Sequence, residues 1–556
     1  MHKSLRLAVT AVAAGAMFGT AAFASALIAP SVDVATDATS ASAALATGQQ
    51  AVATFPDGSL EQLIDDAGVA AQVASMLDGG DGLGEGQLYV GAAKRNIAPQ
   101  PDEEKGERWE QDYDKCATIS AATLGLVVET TDHLMSAGST WPENPSCIYQ
   151  GGFGIGPMNP AIAFDEELGL WVRAISISDG DDTIILSIID GEGWLWEYAN
   201  KCERCGSKQI GEDVAASLTD AGFPVTKDGI VLAATHSHAS PDFIGVWGFV
   251  PDWYMEDVTN LIHEAMEEAV TSAVPAVLEI GEHTAREYNS ERRDTYRSAE
   301  EQHYTWLRGI DGAGDVIATL GAYAAHPTSK GGNDGVAHAD WPGYFVQAAE
   351  NEFGGIGMLI MTGLGNLSNR GGDSIGPGLV AMMPAVGEGD PLTSTDLKMK
   401  QSLWRQPVTN VPLTALGVPG FADRTFDLIP AVVSVGKSEG SPCVSAAEYS
   451  VELPSLAVWL GDFALTTGPG ELFANATNTI RDESGARIAM PLAQANDALG
   501  YMPQSFEIEN PAAQQGLGFA IGGYAMVNYE DSYAIDRCTG DMWLETTLDA
   551  LADLNK

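Results

Sequence analysis

The chain has 556 residues, 45% of them hydrophobic, which is enough to bury a large core as one big α/β unit or as two to four domain-sized ones. Its 76 acidic residues against 28 basic ones leave a formal charge of −48, a field that repels phosphates at long range and excludes nucleic acid as a partner. The same imbalance reads as a solvated acidic shell around a globular protein.

At the N-terminus, His2, Lys3 and Arg6 precede an apolar run from Leu7 to Phe23, and Ala22-Phe23-Ala24 supplies small residues for cleavage. Residues 1–24 therefore read as a secretory signal peptide and the protein as secreted. No later stretch reaches the roughly 18 apolar residues that a membrane span requires. Residues 25–87 are rich in Ala, Thr, Asp and Gly and read as a linker or pro-segment holding one possible helix, Leu60 to Leu77. Six cysteines, Cys116, Cys147, Cys202, Cys205, Cys443 and Cys538, fit an oxidising destination and make three bridges in one of about 15 connectivities. Cys202-Glu-Arg-Cys205 is a lone CxxC, better suited to a surface disulfide than to structural zinc.

The folded unit is expected over 88–556, opening with a strand at Leu88. Leu170 to Ser178 and Thr183 to Asp190, joined by an Asp/Gly turn, read as a hairpin. A helix from Ile210 to Ala221 is followed by a buried strand, Gly229 to Ala234. Apolar residues at helical spacing between Val258 and Val270 give the next helix, on which His263 has no second histidine four residues on and so is not part of an HExxH. Further strands are predicted at Val316 to Ala325, Ile356 to Met361, Leu456 to Thr467 and Ile488 to Ala493, with a helix opening at Asp340 and a long irregular region before Leu456. Alternating strands and helices predict an α/β fold, a mixed sheet with flanking helices and the site at the C-terminal edge of the strands.

Polar residues gather where these strands end. A strand's period of two puts His236 and His238 on one face, so both imidazoles can reach one ion, or one can bind while the other moves protons. His326, Glu471 and Tyr501 stand at similar junctions. Two histidines and a carboxylate make a zinc site with a position left for water, and zinc both polarises a carbonyl and brings the pKa of water toward 7. That chemistry serves amide or ester hydrolysis.

Five segments occur in the order found in neutral/alkaline non-lysosomal ceramidases, and the chain from about Leu88 onward resembles that family. They are Ala234-Thr-His-Ser-His-Ala-Ser-Pro241, Ala325-His-Pro-Thr-Ser329, Gly365-Asn-Leu-Ser368-Asn, Pro469-Gly-Glu-Leu-Phe473 and Asn496-Asp-Ala-Leu-Gly-Tyr501. The resemblance implies a zinc amidohydrolase that cleaves the N-acyl bond of ceramide, with one Zn²⁺ per chain held by His236, His326, Glu471 and Tyr501. It implies that His238 shuttles a proton to the leaving amine, that Ser368 has a catalytic role, that Tyr529 steadies the oxyanion and that Arg292 or Arg293 binds substrate. The chain departs from the family at Ala239-Ser-Pro-Asp242, where the family is glycine-rich, and at Asn369-Arg370, where it has proline. No C-terminal β-sandwich is expected after the Tyr529 region.

Two other readings compete. Gly372-Asp-Ser374-Ile-Gly376 matches G-x-S-x-G and suggests a serine esterase, although a nucleophile elbow needs a strand immediately before the serine. The altered motifs also fit a secreted, non-catalytic binding protein on the same fold.

Overall fold

The computed structural model describes residues 86–100, 108–116, 146–153, 159–199, 201–247, 250–293, 299–331, 335–411, 424, 426–438, 441–509 and 528–556. The expected signal peptide, the linker up to residue 85 and the helix from Leu60 lie outside the described residues.

In chain order the main elements are β1 (Leu88–Asn96), β2 (Trp171–Ser178), β3 (Thr183–Ile189), α1 (Ser207–Asp220), β4 (Val225–Ala234), α2 (Asp252–Thr271) and β5 (Val274–Thr284). There follow β6 (His303–Asp311), β7 (Val316–Tyr323), α3 (Asp340–Phe353), β8 (Ile356–Met361), β9 (Asp390–Pro391), β10 (Leu397–Pro407), β11 (Asp427–Ser438) and β12 (Ser441–Leu460). The last are β13 (Phe463–Thr467), α4 (Ala474–Glu483), β14 (Ile488–Leu492) and α5 (Thr539–Leu554).

Nine strands form one mixed sheet in the order β8-β7-β6-β5-β1-β2-β3-β4, with β9 added beside β5. The pairs β3/β4 and β7/β8 are parallel and the rest antiparallel. The parallel pairs are those joined through helices α1 and α3, as a crossover requires. A second sheet of five strands runs β10-β12-β13-β14, with β11 on β12, and its β13/β14 pair is parallel across α4.

The two sheets pack face to face. Val90, Ile175, Ile177 and Leu186 of the first meet Leu456, Val458, Leu465 and Met490 of the second in one buried cluster. Alternation along each strand sends the intervening residues outward, so Val172, Ala174, Ile230 and Leu232 pack instead under α1 and α2, with Val214, Val258 and Ile262. Ala457 and Ala464 likewise turn outward into a cluster with Ile480 of α4 and Trp543 of α5. The result is a four-layer α/β/β/α arrangement, and the mixed α/β fold with flanking helices is as the sequence predicts.

Two differences concern particular elements. The stretch before Leu456, expected to be irregular, supplies β10, β11 and most of β12. These strands carry Ser, Ala, Gly and Lys in place of a clean apolar alternation, and their identity comes from cross-strand pairing with β12. The six cysteines form Cys116–Cys147, Cys202–Cys205 and Cys443–Cys538. The last of these ties β12 to the residue before α5.

The sheets are also stitched through backbone beyond the end of β14. Ala493 N–H donates to Met361 O at the end of β8 (2.8 Å), Ala234 N–H at the end of β4 donates to Gln494 O (3.1 Å), and Asn496 N–H donates to Leu232 O (2.7 Å). The Asn496 side chain completes the join, accepting from Leu232 N–H at 2.8 Å and donating to Ile230 O at 3.3 Å. Gln494 and Asn496 both sit at positive φ (54° and 65°), which lets the chain zigzag between the sheets, and asparagine tolerates that region better than most residues. Asn496→Ala removes both side-chain bonds and leaves the αL backbone without its usual residue, so a loss on the order of 2–4 kcal/mol is expected. A lowered denaturation midpoint in chemical unfolding checks it.

Candidate metal centre

Every element that carries a candidate ligand approaches from the same edge. β4 leads into His236, β7 into His326, β8 into Gly365 and Ser368, β13 into Glu471, and β14 into Tyr501. These are the C-terminal ends of strands from both sheets, so the site spans the join just described. Glu471 and Tyr501 are themselves held side by side, as register partners in the short parallel pairing of Glu471–Leu472 with Tyr501–Met502.

The His236/His238 pair is not on a strand. β4 ends at Ala234, and His236 adopts φ +59°, an uncommon conformation for a side-chain-bearing residue and one that clusters at functional sites. The loop, and not the two-residue repeat of a strand, brings the rings together. Its path is fixed by His238 N–H donating to Pro327 O at 3.0 Å and by Gly151 N–H donating to Ser240 O at 3.0 Å. Gly152 leaves the space that the His238 ring fills, since a Cβ there would fall 2.2 Å from the ring, and Phe153 meets the same ring edge-on at 5.2 Å.

One ring nitrogen from each of His236, His238 and His326 lies within 4.8 Å of the others, and all three residues are buried. Glu471 Oε2 is 3.0 Å from His326 Nε2 and 3.7 Å from His236 Nε2, and His238 Nε2 is 3.4 Å from His236 Nε2. Ligand atoms about 2.0–2.1 Å from a tetrahedral ion are roughly 3.3 Å apart, so these separations fit a shared metal. The ring tautomers fit it as well. His236 Nδ1 is 2.7 Å from Glu192 O and His326 Nδ1 is 2.9 Å from Leu367 O. A carbonyl only accepts, so both Nδ1 atoms carry hydrogen and in the neutral rings both Nε2 lone pairs face the cluster. His238 differs: its buried Nδ1 has no partner among the described residues.

Electrostatics sort the four groups. Burial favours a neutral Glu471, but His236 and His326 beside it hold its carboxyl well below the usual carboxylate range. Burial also opposes a charge on His236, and Glu471 with Glu192 overcomes it and pushes the ring upward. His326 is lowered to about 4 by burial and by Arg292. His238 is pushed well down, first by burial and then by the two neighbouring imidazoles, so its ring is neutral.

A second layer lies against this cluster. Arg292 donates through Nη2 to Gly365 O (2.8 Å) and Tyr501 Oη (3.0 Å) and through Nε to Glu530 Oε1 (2.8 Å). Its guanidinium lies 5.6 Å from the Tyr501 ring centre and 5.2 Å from that of Tyr529, and the two phenol oxygens are 3.5 Å apart. Burial raises Tyr529 to about 12 even though Arg292 opposes it, which keeps its proton available for donation. Ser368, half-buried in Leu367–Asn369, is tied to His326 by a parallel backbone bridge. Arg293 engages elsewhere, in a fully buried pair with Asp531 (2.9 Å) and with Glu507 O (3.0 Å). Ser374 is exposed in a 3-10 turn, and its hydroxyl donates to Gly371 O at 2.9 Å with no histidine on it.

Sequence reading passes over Glu192, Glu530, Asn366 and the glycines at 151 and 152. Glu192 follows β3 directly and so obeys the same strand-end rule that singles out the histidines. Asn366 joins the loops by accepting from Ala474 N–H (2.9 Å) and donating to Ala299 O (2.8 Å) and to Glu291.

The fold is a mixed α/β one with a metal-competent histidine cluster at its strand ends. It is similar to solved ceramidase structures. Neutral ceramidase from Pseudomonas aeruginosa superposes with a TM-score of 0.55 at 13% identity, covering 85% of this chain and 75% of that one. A structure described as ceramidase complexed with C2 gives 0.55 at 14% identity over 85% and 76%. At these identities the likeness establishes the fold. No protein-family model matches the chain, and neither does any curated protein sequence. Among the described residues no helix is long and apolar enough to cross a membrane.

A divalent ion that binds this cluster stabilises the native state by mass action, by about 2.7 kcal/mol at 100 times its dissociation constant. Thermal unfolding is therefore expected to rise on adding such an ion to the metal-free protein, and His326→Ala is expected to abolish the rise.

Proposed function

We propose that the protein is a secreted, zinc-dependent amidohydrolase of the ceramidase type, cleaving the amide of an N-acyl sphingoid lipid into an amine and a fatty acid. The observation that carries this reading is the convergence of His236, His326 and Glu471 at ligand spacing, with His238, Arg292, Tyr501 and Tyr529 grouped beside them. The ceramidase likeness of the fold and the ordered sequence motifs support it. His236, His326, Glu471 and Tyr501 are the proposed zinc ligands, one ion per chain. When bound, zinc supplies Lewis acidity to the acyl carbonyl and to water.

The chain's own residues do the rest. His238, neutral and with no Nδ1 partner among the described residues, takes a proton on Nε2 from the attacking water and delivers it to the departing amine nitrogen. The lack of an Nδ1 partner among the described residues separates it from His236 and His326, whose outer hydrogen bonds suit them to be ligands. Arg292, held by Glu530, fixes the Tyr501 phenol and sets a positive charge beside Tyr529, whose retained proton can stabilise negative charge growing on the carbonyl oxygen. Ser368, placed by the backbone next to His326, serves to orient substrate in this reading. Arg293 anchors the segment around Asp531.

Purified protein is expected to hydrolyse an N-acyl sphingoid lipid, to lose that activity to a chelator and to regain it with zinc. A panel of N-acyl and ester lipids measures this, and activity lost to a serine-directed phosphonate but not to a chelator would move the reading to a serine esterase. His238→Ala is expected to lower kcat by roughly 10²–10⁴-fold while still binding one zinc per chain. Metal analysis by mass spectrometry checks the second half, and loss of the ion would make His238 a ligand.

A further inference from the structure

Behind His236 lies a carboxylate to which the mechanism above gives no task. Glu192 is 2% exposed and stands in the loop after β3. Its backbone oxygen accepts from His236 Nδ1 at 2.7 Å, and its side-chain Oε1 lies 3.6 Å from that same nitrogen. The other side-chain oxygen, Oε2, is buried with no partner among the described residues. A buried, incompletely paired carboxylate is costly unless something nearby offsets it. The space for it is made by Gly151, where a Cβ would fall 2.7 Å from both Cβ and Cγ of Glu192. Gly151 is in turn hydrogen-bonded to Ser240 on the histidine loop, so carboxylate, glycine and ligand are held in one unit.

We infer that Glu192 is a positioning residue for the metal centre: its backbone and side-chain oxygens both bear on Nδ1 of His236, fixing the tautomer and the ring orientation that leave Nε2 as ligand atom. His326 has only the Leu367 carbonyl in the equivalent place. Groups around a ligand that orient it and raise its basicity change metal affinity by about 10- to 100-fold when removed. This inference rests on the proposal that His236 binds an ion, and the test separates the two.

Zinc affinity of the full chain is measured by competition with a chelator, and Co²⁺ is used as a spectroscopic probe of the ligand field. Glu192→Gln, which keeps size and backbone and replaces the carboxyl by an amide, is expected to bind zinc about 10- to 100-fold more weakly and to shift the visible Co²⁺ bands. The unfolding temperature of the metal-free variant should stay near that of the wild type. Glu192→Asp, which keeps the carboxyl and draws it back from Nδ1, is expected to fall between the two, and it decides the matter should Glu192→Gln not fold. Wild-type affinity and an unshifted spectrum in either folded variant overturn the role of Glu192 alone. A wild-type chain that takes up neither ion overturns the metal reading and this inference with it.

Discussion

The constraint on which the site depends is the backbone stitch between the two sheets. Residues 493–496 leave β14, bond to the end of β8, then to the end of β4, and in doing so set the relative height of strands that share no direct pairing. His236 and His326 follow strands of the first sheet and Glu471 and Tyr501 follow strands of the second, so this join helps to fix the distance of the carboxylate from the imidazoles. The hydrophobic face between the sheets supplies most of the energy that holds them together, since apolar burial is non-directional and scales with area. What it does not supply is register, and the short hydrogen bonds at the strand ends do.

How much of this was legible depended on the kind of signal. Strongly apolar strands such as Thr183–Ile189 and Ile356–Met361, and helices with a clear apolar stripe such as Asp252–Thr271, follow from periodicity alone. The second sheet does not, because Leu397–Pro407 lies with one half-exposed face and Asp427–Ser438 mixes small and polar residues with its valines. Their strand state is set by partners far away in the chain, which a local window cannot see. At the site, a list of polar residues at strand ends picked out His236, His238, His326, Glu471 and Tyr501, and the structure brings the first four of them within a few ångströms of one another. The reason given for the histidine pair was different from the one found: His236 turns through a left-handed backbone, and only that turn aims both rings inward. The two adjacent arginines could not be told apart in sequence, yet Arg292 meets the phenols while Arg293 is buried against Asp531.

The charge distribution is arranged on two scales. The chain as a whole carries a large negative excess, which acts as a long-range field. At the centre the balance is local: Glu471 faces two imidazoles and, one layer back, the Arg292 guanidinium sits between two phenols and Glu530. Each buried charge there has an opposite neighbour within hydrogen-bond reach, the condition under which ions persist in a low-dielectric interior. Glu192 stands apart, with one oxygen near His236, no partner for the other among the described residues, and a carboxyl that burial pushes up to about 8.

Because the candidate ligands come from segments as far apart in the chain as His236 and Tyr501, the cluster is a product of late, long-range closure. During synthesis the histidines emerge well before the carboxylate and the phenol that complete the set, and an ion offered to the nascent chain meets only an open pair of rings. On the metal reading proposed above, uptake belongs to the finished fold, and the ion has to be present after the C-terminal sheet has docked.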